Sequence, residues 1–175
     1  MAVMFIVVET RWLIERCTGL NEDLTKIRSV ADYQFGKDVG AKLFPDNVQI
    51  AYSQNTGRIR YIYLDGKRLA TMRPTDGLFS LSLDGAKRIA EAKGSPRCFV
   101  TVKSDVAQFV ADGGDVFAAH IVDADEDVRA KDEVIVVAED GRVLAVGRAV
   151  LSAGEMKAFK RGAAVKVRRG DAEES

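Results

Sequence analysis

Short turn motifs divide residues 48–81 into segments in which apolar and polar residues alternate. The spacing of these turns constrains the fold more strongly than any other feature of the sequence. Asn55-Thr56-Gly57 and Asp65-Gly66 are typical of β-hairpins, and Pro74-Thr75-Asp76-Gly77 predicts a further turn. Apolar and polar residues alternate between these turns, as they do in half-buried strands. We therefore predict an antiparallel meander.

Helical patterns flank the meander. Apolar residues recur every three or four positions from Leu24 to Leu43, which predicts a helix with one apolar face. Gly36 and Gly40 interrupt it, so we expect either a close backbone contact or a broken helix. Ser82 is a good N-cap for a second helix over Leu83–Lys93. Together these elements predict a small α+β domain over residues 1–94.

A second unit is predicted to follow the break at Gly94-Ser95-Pro96. Residues 95–170 read as about five short strands around two small helices, which favours a mixed β pseudo-barrel. Phe109 and Phe159 are expected to pack inward from those two helices. The acidic residues 171–175 are expected to form a flexible tail.

Composition excludes several classes of protein. The 175 residues carry 26 basic and 26 acidic side chains, 47% are hydrophobic, and no apolar run reaches the roughly 18 residues of a membrane helix. No signal-peptide pattern is recognisable, so we expect a cytoplasmic protein without membrane partners. The cysteines are Cys17 and Cys98, and His120 is the one histidine, so a disulfide framework, a zinc site and a cofactor are not expected.

Charge is unevenly distributed along the second unit. Lys157–Gly170 contains six basic residues and no acid, whereas Asp123–Asp140 contains eight acids and two bases. A local basic stripe is the pattern expected of phosphate binding. An ordinary solvated surface explains the same charges equally well.

The second unit resembles a PUA domain, an RNA-binding module named after pseudouridine synthases and archaeosine transglycosylases. The residues that carry the resemblance are Ala111–Val116, Glu139–Ala149, Ser152 and Glu155-Met156. The resemblance extends over nearly all of residues 96–170. It departs from the usual pattern at Ala119-His120, where PUA domains commonly have Pro-Gly, so His120 could alter an RNA contact.

The first unit resembles the domain that precedes the PUA module in archaeal tRNA-guanine transglycosylases, which insert a precursor of archaeosine into tRNA. Ala31–Gly36, Thr56–Arg60 and Arg73–Phe79 carry this second resemblance, in the right order. The catalytic barrel of those enzymes has no counterpart in the 175 residues. The resemblance therefore implies a non-catalytic protein.

The resemblance and the charge pattern suggest three groups of RNA-binding residues. Gly113 and Gly114 could donate backbone N–H groups to a phosphate, or they could simply end a helix. In the meander, Tyr61 and Tyr63 could stack on bases, although they share a face with Ile59 and core packing explains them better. The candidates are Lys103, Gly113, Gly114 and Arg148 in the barrel, Lys157, Lys160 and Arg161 in the basic stripe, and Arg58, Arg60 and Arg73 in the meander.

These expectations lead to one main hypothesis and two alternatives. The main hypothesis is a protein that binds tRNA or another structured RNA, rather than DNA, and positions it for a separate base-modification enzyme. The first alternative is a translation-associated protein that binds initiator tRNA or the small ribosomal subunit. The second is a protein-interaction module without RNA binding.

Overall fold

The computed structural model describes residues 21–92 and 96–174, and the first unit in it is a four-stranded sheet covered by helices. The elements of this unit are α1 (21–35), α2 (Val39–Leu43), β1 (Gln49–Tyr52), β2 (Ile59–Leu64), β3 (Lys67–Met72), β4 (Phe79–Leu81) and α3 (Leu83–Glu91). The strands pair antiparallel in the order β1-β2-β3-β4. The predicted meander and its flanking helices are confirmed. Residues 1–20 lie outside the described residues.

A bulge in β2 decides which side chains enter the core. Tyr52 pairs with Ile59 and Ala51 pairs with Tyr61, so β2 carries one extra residue, Arg60, between two neighbouring positions of β1. A bulge moves the following side chains to the other face of the sheet. Ile59 is therefore buried, whereas Tyr61 and Tyr63 lie partly exposed on the face away from the core. The expectation that these tyrosines pack in the core is wrong.

Two glycines shape the connection between α1 and α2. Gly36 ends α1 with a φ of 117°, a conformation that favours glycine. A Cβ at Gly40 would lie 2.2 Å from the carbonyl oxygen of Arg28, so α2 packs directly on the backbone of α1. The predicted helix is thus broken, and its second glycine makes the predicted close contact. The Asp32 carboxylate accepts a hydrogen bond from the Gly40 N–H at 2.6 Å and fixes the break.

The second unit is a six-stranded mixed sheet that curls into a pseudo-barrel. Its elements are β5 (Phe99–Val102), a 3-10 helix (Ser104–Val106), α4 (Ala107–Ala111), β6 (Val116–Phe117), a 3-10 helix (Ala118–His120), β7 (Ile121–Ala124), β8 (Glu133–Ala138), β9 (Val143–Ala149), α5 (Ala153–Ala158) and β10 (Ala163–Gly170). The strand order is β6-β10-β9-β8-β5-β7, and only the β5–β8 pair is parallel among the described strands. The predicted α+β class and mixed β barrel are confirmed.

Several local expectations differ from the structure at the ends of this unit. Phe109 on α4 is 56% exposed and Phe159 at the end of α5 is 47% exposed, so neither packs inward as expected. Both helices are short, and each has room for only one or two core-facing positions, taken by Val110 and Met156. Residues Asp171–Glu174, expected to be flexible, form a 3-10 helix. Gly94 and Ser95 of the predicted boundary lie outside the described residues.

The two units share one hydrophobic core. Cys98, Ile135 and Val146 of the barrel belong to the same buried cluster as the helices and sheet of the first unit. The α3 helix lies between β3 and β9 and contacts both. A Cβ at Gly85 in this helix would lie 2.2 Å from the carbonyl oxygen of Leu69, so α3 sits directly on the β3 backbone. No described helix has the length and apolar character needed to cross a membrane.

An ion pair between a buried glutamate and a partly exposed arginine lies where the units meet, at β4. Glu133 on β8 has a fully buried side chain, and its carboxylate accepts hydrogen bonds from the Leu81 N–H at 2.8 Å and from the Arg168 guanidinium. Arg168 also donates to the Leu81 carbonyl at 2.7 Å. Arg168 is the extra residue of a bulge in β10, where Val167 pairs with Gly147 and Arg169 pairs with Val146. The bulge thus directs a barrel arginine into the first unit.

Replacement of Arg168 should destabilise the whole chain. Arg168→Met leaves the buried Glu133 carboxylate without its cation, and because Arg168 is itself 41% exposed we expect a loss of about 1–3 kcal/mol, as for a buried acceptor that loses a donor. Lys67→Met is the control, because its pair with Asp84 lies at the surface and exposed pairs contribute about 0–1 kcal/mol. Denaturant unfolding of both variants measures the difference. Equal losses of unfolding free energy would contradict the role of the junction pair.

Candidate nucleic-acid interface

An apolar groove opens at one end of the barrel. Its volume is about 300 Å³, and it runs between the first barrel helices and β6. Phe109 and Phe117 stand at this groove with 56% and 45% of their surface exposed. Exposed aromatic rings of this kind provide stacking surfaces. The lining residues are Val106, Phe109, Val110, Asp115, Val116, Phe117 and His120.

The double glycine positions the Phe109 ring and ends α4. The Gly113 N–H donates to the Val110 carbonyl at 3.0 Å, and the Gly114 N–H donates to the Phe109 carbonyl at 2.9 Å. Both N–H groups therefore serve as a helix C-cap, which is the second of the two roles that the sequence left open, and RNA binding at these glycines stays a prediction. A Cβ at Gly114 would lie 2.2 Å from the ring of Phe109. The glycine thus leaves the space in which the ring lies.

Three of the predicted cations lie at this end of the barrel. Lys103 donates from its Nζ to the Ala119 carbonyl at 3.0 Å, beside His120. The loop with Lys160 and Arg161 is held by a hydrogen bond from the Ala118 N–H to the Gly162 carbonyl, 3.0 Å long. Lys160 and Arg161 are exposed and form no ion pair with another described residue. The groove is thus apolar inside and flanked by positive charge.

Lys157 belongs to a different surface. Its Nζ lies 2.6 Å from an oxygen of Asp123, and this hydrogen bond raises the pKa of Lys157 and lowers the pKa of Asp123. Asp125 and Glu126 lie close enough to act on the same amine electrostatically. The six charges of Lys157–Gly170 therefore do not form one free stripe. Lys157 pairs on the acidic side, and Arg168 turns towards the first unit.

Arg148 lies between the groove and the domain junction. On β9 it pairs with Lys166 of β10, so the two cations share one face of the sheet. Partial burial acts to raise the pKa of Asp76, but the Leu78 N–H and the charges of Arg73 and Arg148 hold it below its usual range. Arg148 therefore faces the turn that follows β3. The β10 strand runs from the groove to this region.

The meander arginines have separate roles. Arg60 lies 5.1 Å from the centre of the Tyr61 ring, and Arg58 is exposed in the preceding turn. Arg73 is mostly buried and pairs with Asp76 at 2.9 Å, so it holds its own turn together. Arg68, another arginine of the meander, lies over the same Tyr61 ring at 5.8 Å. Cation–π geometry of this kind pre-orients a guanidinium on a surface.

A carboxylate from a neighbouring hairpin holds the 3-10 helix beside the groove. Glu139 accepts hydrogen bonds from the Ser104 hydroxyl at 2.6 Å and the Ser104 N–H at 2.9 Å. These two hydrogen bonds, with a smaller contribution from Lys103, lower the pKa of Glu139. The cap stabilises the start of the element that carries Val106 and leads to Phe109.

Acid should weaken this cap. Because the pKa of Glu139 in the folded protein lies below its usual value near 4.5, its contribution is complete above that pH and is lost as the pH falls through the folded pKa. Thermal unfolding of the wild type and Glu139→Gln at neutral pH and at about pH 3 tests this. We expect the variant to melt lower at neutral pH and the gap to close in acid. A gap that persists unchanged in acid would contradict the assignment.

Comparison with known proteins assigns both units to families. Residues 25–96 match the patch-forming domain C2 of tRNA-guanine transglycosylase, and residues 99–170 match the PUA domain. The tRNA-guanine(15) transglycosylase of Methanobrevibacter smithii is 46% identical over 150 residues, and that of Pyrococcus furiosus is 42% identical over 162. These matches cover 85% and 93% of this chain but only 23% and 27% of the relatives, so the chain spans about a quarter of their length.

Solved structures show the same arrangement of units. A hypothetical protein of Pyrococcus horikoshii has a TM-score of 0.68 at 28% identity, covering 85% of this chain and 90% of that one. A conserved PUA domain protein of Thermoplasma acidophilum shares the fold with a TM-score of 0.61 at 24% identity, covering 86% and 89%. Both predicted resemblances are therefore confirmed. The chain is thus similar to a transglycosylase C2 domain followed by a PUA domain, the arrangement found in the C-terminal part of the archaeal tRNA-guanine transglycosylases.

Proposed function

We propose that this protein binds structured RNA, and tRNA in particular, through the aromatic groove of its PUA domain. The observation that supports this proposal is the pair of exposed rings, Phe109 and Phe117, which lie near Lys103 and the loop with Lys160 and Arg161. The names of the relatives, which are tRNA-guanine(15) transglycosylases, favour tRNA as the RNA.

The groove suits an unpaired nucleotide at the end of a stem. Stacking of a base on an aromatic side chain contributes about 1–3 kcal/mol, and it needs little sequence information. The neighbouring lysine and arginine side chains would contact phosphates and fix the orientation of the stem. Proteins recognise RNA in this manner, by unstacked bases and by shape.

We further propose that the protein positions tRNA and that a separate modification enzyme makes and breaks the bonds. The described residues contain no cluster of three or more histidine, cysteine, aspartate or glutamate side chains that could hold a metal. Cys98 is buried, and burial raises the pKa of its thiol far above the usual range, so it is a poor nucleophile. His120 lies in the groove without a nucleophile among its lining residues.

Alanine substitutions in the groove test the proposal. Phe109→Ala and Phe117→Ala should each weaken the binding of fluorescently labelled tRNA about 5- to 150-fold, because each removes a stacking surface worth about 1–3 kcal/mol. Tyr33→Ala is the matched control, since Tyr33 is an aromatic residue with 81% exposure on α1 in the other unit. The affinity of the Tyr33→Ala variant for tRNA should stay within about twofold of that of the wild type.

Salt dependence separates the competing functions. Wild-type affinity for tRNA should fall as salt rises from ~50 mM, and Lys160→Gln with Arg161→Gln should lower the slope of the log–log plot by about one to two. No binding at ~50 mM salt would leave a protein-interaction module as the function. Co-purification of a small ribosomal subunit, rather than a tRNA-modifying enzyme, would favour a role in translation.

A further inference from the structure

A polar groove with arginine side chains lies at the junction of the two units. Its volume is about 150 Å³, and residues of β3, β4 and β10 form its walls. It is separate from the aromatic groove, with which it shares no lining residue. The lining residues are Arg68, Thr71, Ser80, Leu81, Ser82, Arg168 and Arg169.

The wall contributed by the first unit carries one oriented guanidinium and a row of hydroxyl groups. Arg68 lies 5.8 Å from the centre of the Tyr61 ring, which supports it from one side. Thr71 and Ser80 are direct cross-strand partners, so their side chains stand next to each other on the same face. Every one of these side chains can donate a hydrogen bond to an anionic oxygen.

The wall contributed by the barrel is fixed by the junction ion pair. Arg168 is held by Glu133 and by the Leu81 carbonyl, so its guanidinium is rigid rather than free to rotate in solvent. Arg168 uses three of its five N–H bonds on these partners. Glu133 balances the charge of Arg168, and Asp84 on the neighbouring helix is paired with Lys67.

We propose that this groove binds a backbone phosphate of the same RNA that occupies the aromatic groove, so that both units hold one molecule. The inference rests on the proposed function. Guanidinium and hydroxyl donors match the oxygens of a phosphodiester, and the walls offer no exposed aromatic ring for a base. The two grooves meet along β10, since the Val167 N–H next to Arg168 donates at 2.8 Å to Asp115, a lining residue of the aromatic groove, so one RNA can reach both.

Substitution of Arg68 tests the arginine groove at the junction, because this side chain lies outside the hydrophobic core. Arg68→Gln should lower the log–log salt slope of tRNA binding by about 0.7–0.9, the loss expected for one phosphate contact. Arg68→Lys keeps the charge and should retain the slope. Arg169→Gln, on the opposite wall, should repeat the loss. Lys26→Gln is the control, because this exposed lysine lies on α1, which covers the other face of the sheet.

The outcomes distinguish failure of the site from failure of the function. If wild type binds tRNA and Phe109→Ala weakens it, while Arg68→Gln and Arg169→Gln behave like Lys26→Gln, then the junction site is wrong and the function stands. If wild type does not bind tRNA, both fail. The melting temperature measured with and without inorganic phosphate provides one further test. Phosphate stabilisation that Arg68→Gln abolishes, with unchanged tRNA binding, would identify a site for a free anion and overturn the proposal.

Discussion

The buried carboxylate of Glu133 is the interaction on which the relative position of the two units depends. It is fully buried, so it requires a cation and further donors, and the structure supplies Arg168 and the Leu81 N–H. Because both charged residues belong to the barrel and Leu81 belongs to the first unit, docking of the units adds the Leu81 N–H and carbonyl to the hydrogen bonds of the pair. The shared hydrophobic core around α3 buries apolar surface of both units, and the ion pair helps to fix their relative orientation.

This rigid docking places two different surfaces on one molecule. The aromatic groove and the arginine groove both lie beside β10, whose Val167 N–H donates to Asp115 of the first and whose Arg168 and Arg169 line the second. An apolar groove suits a base and a cationic groove suits a phosphate. A chain that holds both surfaces at a fixed separation can recognise the shape of an RNA rather than its sequence, which is the mode of recognition we propose.

Much of the fold was predictable from local chemistry, and the site was predictable only in part. Turn motifs located the hairpins, and the periodicity of α1 and the Ser82 cap located helices, because these signals act between near neighbours in sequence. The sequence analysis placed Lys103 in one group of candidates and Lys160 and Arg161 in another, with Lys157, and the structure brings the first three to one end of the barrel. The alternation of residues in β2 led to the wrong prediction that Tyr61 and Tyr63 pack in the core, since a single bulge moves them to the other face of the sheet. The prediction that Phe109 packs inward was also wrong, because α4 is too short to bury it.

The sequence by itself determined the order of the two units, the class of each fold and the domain families that they resemble, since turns, caps and motifs depend on residues that are neighbours in sequence. Only the tertiary structure decided which cations remain available for a ligand. Lys157 and Arg168 look alike in a basic run, yet one pairs with Asp123 at the surface and the other with a buried glutamate. Their partners are 34 and 35 residues away in sequence, and such distant pairings arise only when strands assemble.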